Sequence, residues 1–544
     1  MFYLGINGGF GGGYQDASCC FLVDGKIKFV AEEERFNRIK YSPGVLPHQS
    51  IYEGLKYLQI SPSEIKTIAL HGITWVGDNK KKISEYFNHN FGIKGEIKFF
   101  HHHNCHAASS FFSSGFKEAL VFTMDSSGDS LSTQISIWNQ SGSVVLDSYK
   151  RPQSLGFFYS MITQYCGFKR DADEYKLMGL SAYAKEKDNI DLSFLLDFSE
   201  GKYFLNEKYL NGFIEGSPSP SKQELLFNSE FIKKIGFQSR EPDSDISEKY
   251  VILAAAAQMQ LEKIVVELIK YWKDKTGITN VCLAGGVALN CEVNRKIQEE
   301  INLTGFFIPP YSGDQGISVG AAYLASGEDG IKPKQEISPY LGKEYSNNEI
   351  RESLVKSKVK ILEIDNKHEF TAKLLSIGKI IGWFQGRSEM GPRALGNRSI
   401  LANPNITNIK EKINSSIKFR ESFRPFCPSV LKEDFDNYFT SSLLDYPYMN
   451  VNVKAKPNVK IELPEIVHVD NTSRVQTVSH EFNSDFYELL LQVKKYTGHG
   501  LLINTSFNVR NHPIVESPYN ALECFYSSGL DALIMGDFVI EKEG

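Results

Sequence analysis

Within its first 150 residues the chain passes twice through one pattern of strand, small-residue loop and hairpin. A repeat of that kind limits the fold more than any single motif can. In the first copy, residues 3–6 read as an apolar strand and 7–13 as a glycine-rich loop. Residues 19–23 read as a second strand, Asp24 and Gly25 as a tight hairpin turn, and 26–31 as a third strand. In the second copy 119–124 is the strand and 125–130 the loop, and 134–138 turns through Gln140, Ser141 and Gly142 into 144–149. Glycine-rich loops at strand ends let backbone N–H groups reach phosphate oxygens, because no side chain intervenes.

The paired loops predict an α/β fold with a duplicated N-terminal domain of the actin/hexokinase (ASKHA) type, whose two loops grip a nucleotide between two halves. Residues 101–106 hold four of the chain's twelve histidines. His102 and His106 are four apart, so on a helix they share one face, as a single cation requires. Further along comes Asp125-Ser-Ser-Gly-Asp129, and a third acid, Asp314, sits in Pro310-Tyr-Ser-Gly-Asp-Gln-Gly316. Two imidazoles and two or three carboxylates next to glycine turns suggest a metal–phosphate site. The alternative is a solvated histidine cluster.

Length and composition close other routes. At 544 residues the chain is too long for one ordinary core, so two to four domains are expected. Charged residues at 23% and hydrophobics at 42% are those of a globular protein. A net charge of −5 offers no general attraction to nucleic acid or anionic membrane. The most apolar region, 251–269, is interrupted by Gln258, Gln260, Glu262 and Lys263, which argues against a membrane span. The N-terminus lacks a basic leader and reads as a strand running into a glycine turn. The eight cysteines are scattered, several of them (Cys20, Cys282, Cys427) in apolar runs. That usage predicts free thiols in a reducing, cytoplasmic setting.

Residues 251–275 predict a long amphipathic helix ending at Gly277. It leads into 280–290, a buried strand, then Gly285 and Gly286, then a helix. This geometry suits a nucleotide or a plain βα turn equally. A short strand at 306–310 precedes the Asp314 turn and a helix over 316–325. Between 149 and 250 the pattern is less regular and includes Glu174-Tyr-Lys-Leu-Met-Gly179 and a Pro/Ser-rich surface loop at 216–221. Residues 325–343, rich in Gly, Pro, Glu and Lys, read as a linker dividing the chain into 1–340 and 341–544. Beyond it, Arg387, Arg393, Arg398, Lys418, Arg420 and Arg424 are interleaved with glycine, proline and aromatics. An exposed basic helix would balance such charges at i,i+4 spacing; this pattern suggests loops converging on an anion. Arg forks match phosphate, and charge-assisted bonds are about twice as strong as neutral ones. Internal salt bridges and an RNA surface are the competing readings.

Residues 386–399, 417–430, 471–478 and 502–508, with His102-His-Asn-Cys-His-Ala-Ala-Ser109 upstream, closely resemble the NodU/CmcH family of O-carbamoyltransferases. The match runs from Leu4 to the C-terminus and is weak at about 185–245 and 430–460. The resemblance implies an ASKHA-type transfer domain over 1–340 and a YrdC-like α/β domain over 341–544. The second domain would take carbamoyl phosphate and ATP to carbamoyladenylate and pyrophosphate, with Arg393, Lys418, Arg424, Arg474, Asn504 and Ser506 lining its pocket. Carbamate has little lifetime in water, so that pocket must exclude solvent. In the first domain His102, His106, Asp125 and Asp314 would hold a divalent metal, Fe2+ by family habit, and Mg2+ is possible with ATP. Lys40 matches a family lysine near the carbamoyl group. Gly285, Gly286 and Asn290 match the nucleotide turn, and Lys176 is grouped with them. An acceptor hydroxyl on a small metabolite would attack the carbamoyl carbon, the metal and Lys40 neutralising the departing AMP.

One departure stands out. Where many members carry a histidine after the first loop, this chain has Gln15, followed by Asp16. An amide cannot take a proton at neutral pH, so Gln15 can orient an acceptor but not deprotonate it. Asp16 or a metal-linked group then becomes the expected base. An acidic or amine acceptor, or an impaired site, are the alternatives. The other function classes are a tRNA threonylcarbamoylation enzyme, a sugar kinase, and a non-catalytic sensor of nucleotide and carbamoyl phosphate. The acidic net charge favours a partner other than nucleic acid, and no membrane. A monomer and a homodimer are both compatible with the sequence.

Overall fold

Near-continuous burial along Phe2–Asn7 makes this segment the centre of a sheet, strand β1. The computed structural model describes residues 1–9, 15–185, 190–211, 224–421, 423–424, 426–441, 443 and 445–542, apart from the side chains of 75–78. Strands β2 (Ser18–Val23) and β3 (Lys26–Glu32) follow β1 as a hairpin. Its two turn residues, Asp24 and Gly25, have φ of 52° and 74°, as a two-residue type I′ turn demands. With β4 (Ile65–His71) and β5 (Glu96–Phe100) they form a sheet ordered β3-β2-β1-β4-β5. It is antiparallel on one side of β1 and parallel on the other. Helix Ile317–Glu328 packs on β1 so closely that a Cβ on Gly5 would lie 1.8 Å from the Ser318 carbonyl oxygen. Only glycine permits that approach.

The second copy repeats this topology. Strands β6 (Glu118–Gly128), β7 (Leu131–Asn139) and β8 (Gly142–Lys150) are followed by a separate hairpin, β9 (Leu196–Ser199) with β10 (Lys202–Leu205). Strands β11 (Asn280–Ala284) and β12 (Gly305–Phe307) then join to give β12-β11-β6-β7-β8. Strand directions match those of the first sheet, so the duplication legible in three strands extends to five. Residues 125–128, expected as loop, are instead the end of β6. The pairing with β7 breaks after Met124 and resumes at Gly128↔Leu131, so the small residues between bulge out of the ladder. The long helix runs Glu248–Thr276, closed by Gly277 at φ 74°.

The C-terminal region holds β13 (Leu362–Glu363), β14 (Ile381–Phe384), β15 (Arg398–Ala402), β16 (Cys427–Leu431), β17 (Phe439–Thr440), β18 (Asn452–Ala455), β19 (Thr472–Arg474), β20 (Gln476–Val478), β21 (Leu501–Ser506), β22 (Ala532–Met535) and β23 (Phe538–Glu541). Eight of them build a mixed sheet, β13-β23-β22-β14-β15-β21-β16-β20, and β17-β18-β19 form a small one. Alternate residues feed separate cores: Ile400, Ile503 and Leu533 pack on one face, Leu401, Leu502 and Ile534 on the other with Phe486, Leu489 and Val493 of helix Ser484–Thr497. Strands covered on both faces carry near-continuous apolar runs, which is how these read in sequence.

Two compact units result. One comprises Met1–His71, Trp75–Phe100 and Asp314–Gly544, the other Gly72–Thr74 and His101–Gly313. In the first unit the expected linker at 325–343 proves to be anchored. Its opening residues complete helix Ile317–Glu328, Tyr340 and Leu341 are buried, and the Leu341 carbonyl accepts from the Val30 N–H at 3.0 Å. A stretch rich in glycine, proline and charge can still dock when it carries an apolar pair with a strand edge to meet. The Pro/Ser stretch at 216–221 and most of the first glycine run (10–14) lie outside the described residues.

Candidate active site

Helix His102–Ser114 starts with the histidine cluster and sets His102 and His106 one turn apart, their ring centroids 4.7 Å from each other. Asp125, where β6 leaves its ladder, brings Oδ2 to 3.2 Å from His106 Nε2 and 3.7 Å from His102 Nε2. One ligand atom from each of the three lies within 4.8 Å of the others. Burial alone would raise the Asp125 pKa, but hydrogen bonds and charge from the two imidazoles hold it well below the usual carboxylate range. Two nitrogens and a carboxylate oxygen at these separations suit a divalent first-row metal, with positions left over for a phosphate. His103, between them, turns away to Thr123 Oγ1 at 2.8 Å; burial and its two neighbours push its pKa well down.

The second acid of the 125–129 turn has a different job. Asp129 accepts from the backbone N–H of His102 at 2.8 Å, Gly72 at 3.1 Å and Thr74 at 3.2 Å, which seats the start of the histidine helix. Glycines enclose the turn. A Cβ on Gly128 would overlap the His102 ring at 2.1 Å, one on Gly156 would meet Ser126 N at 2.7 Å, and one on Gly286 would come within 3.2 Å of Asp125 Oδ1. Gly285 has φ 90° and leaves no room for a side chain against the Met124 carbonyl. The predicted nucleotide turn and the histidine–aspartate cluster are thus one packed assembly. Asn290 caps helix Cys291–Glu300, its Oδ1 accepting from the N–H groups of Glu292 and Val293, and its amide pairs with Gln258. Lys176, on helix Glu174–Ser181, pairs with Asp173 at 3.2 Å.

In the first unit Asn7 holds the predicted acceptor loop, donating to the carbonyls of Gln15 and Asp16 at 2.9 and 2.8 Å. Asp16 has φ 53° and donates its N–H to the Tyr41 carbonyl, one residue past Lys40. Burial, then Asp314, Glu34 and Glu32, push its carboxyl well up, with Lys40 opposing. Lys40 Nζ pairs with Glu34 at 2.8 Å. Asp314 opens the turn Asp314–Gly316 that starts this unit's returning segment.

Four of the C-terminal residues are drawn together around β21. Asn504 and Ser506 share a face of that strand; Lys418 Nζ donates to the Ser506 carbonyl and hydroxyl and to Asn508 Oδ1 at 2.7 Å. Burial, helped by Arg420 and Arg424, pulls its pKa well down. Asn504 Nδ2 donates to Ser429 Oγ at 2.9 Å and lies opposite Cys427, whose sulfur takes the Arg474 Nε–H at 3.0 Å. Arg393 and Arg424 occupy the loops before β15 and β16, and Arg424 is 3.9 Å from Glu421. The wider set of converging arginines needs correcting. Arg398 is fully buried over the Phe384 ring and donates to the carbonyls of Gln385, Gly386, Asn397 and Lys343. Arg387 donates to those of Gly342, Leu341 and Lys28. Tight glycine loops leave carbonyls without ladder partners, and guanidinium forks satisfy several at once.

Sequence reasoning missed a buried network beneath the turn at 285–290. Gln258, 4% exposed, accepts from Tyr159 at 2.7 Å and donates to Glu262 at 2.8 Å. Both had looked like mere interruptions of an apolar run; their i,i+4 spacing on the buried face of that helix was the available signal.

Comparison with known proteins shows the family. A model for the carbamoyltransferase N-terminus matches residues 80–323, and one for the carbamoyltransferase C-terminus matches 372–542. A Synechocystis sp. protein described as uncharacterised is 34% identical over 600 residues, covering 97% of this chain and 95% of its own length. Nodulation protein NolNO of Sinorhizobium fredii is 33% identical over 560 residues, covering 97% and 79%. Full-length HypF, solved in a phosphate- and nucleotide-bound form, matches with TM-score 0.39 and 13% identity over 60% of this chain and 46% of that one, too distant a likeness to inform the chemistry. The chain belongs to the NodU/NolO/CmcH family of carbamoyltransferases and is an enzyme of that class. Among the described residues no helix is long and apolar enough to cross a membrane, and all eight cysteines are buried free thiols.

Proposed function

We propose that the enzyme makes carbamoyladenylate from carbamoyl phosphate and ATP in a YrdC-like half over 341–544 and transfers its carbamoyl group in an ASKHA-type half over 1–340 to a hydroxyl of a small metabolite. Carbamoyl phosphate loses its phosphate to water; the carbamate oxygen attacks the α-phosphorus of ATP, and pyrophosphate leaves. Arg393, Lys418, Arg424, Arg474, Asn504 and Ser506 bind the anions of that step. The clustering of Lys418, Ser506, Asn504 and Arg474 supports this, because several donors gathered at one strand end suit phosphate oxygens.

In the second step the acceptor oxygen forms its bond to the carbamoyl carbon, the carbon–oxygen bond to AMP breaks, and the acceptor proton passes to Asp16. Gln15 orients the acceptor and Lys40 faces the carbamoyl group. Gly285, Gly286 and Asn290 form the nucleotide turn, and Lys176 is grouped with them. His102, His106 and Asp125 would hold a divalent ion, ferrous iron by analogy with the family, which would supply charge neutralisation for the leaving AMP. The observation that carries the reading is the His102–His106–Asp125 cluster packed directly against the glycine turn at 285–286, an imidazole–carboxylate group adjoining backbone that carries no side chain.

The test is incubation with ATP, carbamoyl phosphate and ferrous iron, followed by assay of pyrophosphate. Arg474→Ala abolishes release; His106→Ala spares it but loses bound iron and consumption of the adenylate. Release surviving in Arg474→Ala and failing in His106→Ala would invert the assignment, and ADP as product would make the protein a kinase instead.

A further inference from the structure

The peptide unit of Gly391 is held from both edges by one short element of the first unit. Glu32, at the start of helix Glu33–Asn37, accepts the Gly391 N–H at 2.7 Å, and Arg35 donates Nη2 to the Gly391 carbonyl at 2.8 Å. The two side chains also meet each other at 3.3 Å. Arg35 is 3% exposed and Glu32 8%. Gly391 has φ 100°, a conformation open to glycine, which lets its N–H and C=O face this pair.

The same loop is closed from within. Glu389 Oε1 accepts from the N–H groups of Leu395 at 2.8 Å, Asn397 at 3.4 Å and Arg398 at 3.2 Å, and the Met390 N–H is held by the Pro339 carbonyl at 2.8 Å. Arg393 therefore sits mid-span, with one fixed point two residues before it and another two residues after. On the far side of the helix Glu34 holds Lys40 Nζ at 2.8 Å and the Tyr41 N–H at 2.6 Å.

A buried Arg–Glu pair is a poor way to gain stability, because apolar groups of similar volume often do as well. Nor does Arg35 serve as general scaffolding in the manner of Arg398. Its Nε and Nη1 have no protein hydrogen-bond partner among the described residues, so its bonds go to Gly391 and Glu32. Charged hydrogen bonds from both sides fix the plane and register of one peptide. We propose that Glu32 and Arg35 are positioning residues for the Arg393 loop, tying the carbamoyl phosphate ligand to the helix that holds Lys40. The proposal rests on the reading of Arg393 given above.

The test measures pyrophosphate release as a function of each substrate. Arg35→Met, which keeps length but removes the donors, raises KM for carbamoyl phosphate about tenfold or more, the scale of a lost charged hydrogen bond, while KM for ATP stays within about twofold. Arg35→Lys recovers most of the loss. Where Arg35→Met does not fold, Gly391→Ala, which turns the gripped peptide without touching the pair, shows the same KM split. An unchanged carbamoyl phosphate KM in a folded variant, or a lower kcat with both KM values raised alike and a lower melting temperature, overturns the proposal. Arg393→Ala separates the two layers. If it leaves carbamoyl phosphate KM untouched, the pocket reading fails; if it raises KM and Arg35→Met does not, the clamp alone fails.

Discussion

Glu262 offers the sharpest quantitative test of how the turn at 285–290 is supported. It lies inside helix Glu248–Thr276, 9% exposed, with Gln258 Nε2 at 2.8 Å as its donor. Burial pushes its carboxyl up from 4.5 to about 7; Glu292 adds to the rise, and Gln258, Arg295 and Lys296 oppose it. The fold thus favours the protonated form. The stability from that preference is full below the unfolded-chain value near 4.5 and is lost as pH rises through about 7. At about 1.4 kcal/mol per pKa unit, ionising this group in place costs about 3 kcal/mol. Glu262→Gln is neutral at every pH and keeps an acceptor for Gln258. The variant and the parent should unfold alike at pH 4.5 and below in denaturant titrations. The variant should pull ahead between pH 4.5 and 7 and hold a level advantage of about 3 kcal/mol above that. A gap that does not change with pH, or a parent that gains on the variant as pH rises, would refute the reasoning.

Two further substitutions probe the local geometry. Gly285→Ala must place a Cβ 2.3 Å from the Met124 carbonyl at φ 90°; it should cost about 1–3 kcal/mol and weaken metal binding measured by calorimetry, since the shift falls on the residue before Asp125. Arg398→Lys should lower the urea midpoint by the equivalent of about 3 kcal/mol, because an ammonium cannot fork to four carbonyls and some would stay buried without a donor; an unchanged midpoint would show that the loop re-forms without it.

Much of the architecture was legible because it follows from local patterns. The hairpin at Asp24 and Gly25 needs positive φ at two successive positions, and Asp-Gly announces it. The histidine pair on one helix face follows from 3.6-residue periodicity. What misled was charge. Arg387 and Arg398 had the composition of an anion pocket, but whether a guanidinium meets a phosphate or a stranded carbonyl depends on where the neighbouring loop turns. Asp125 and Asp129 are equivalent in sequence, yet one faces the imidazoles and the other seats a helix start, since the ladder breaks between them.

The sequence by itself determined the repeated three-strand pattern, the family, and the histidine pair on one helix face, because periodicity, turn chemistry and motif spacing act over a few residues. Tertiary structure alone decided which acid meets the imidazoles and which arginines satisfy the backbone, that Gln258 and Glu262 lie under the turn at 285–290, and that Glu32 and Arg35 reach across more than 350 positions to one glycine. Those outcomes rest on burial and on the pairing of orphaned polar groups, which exist only once distant segments have packed.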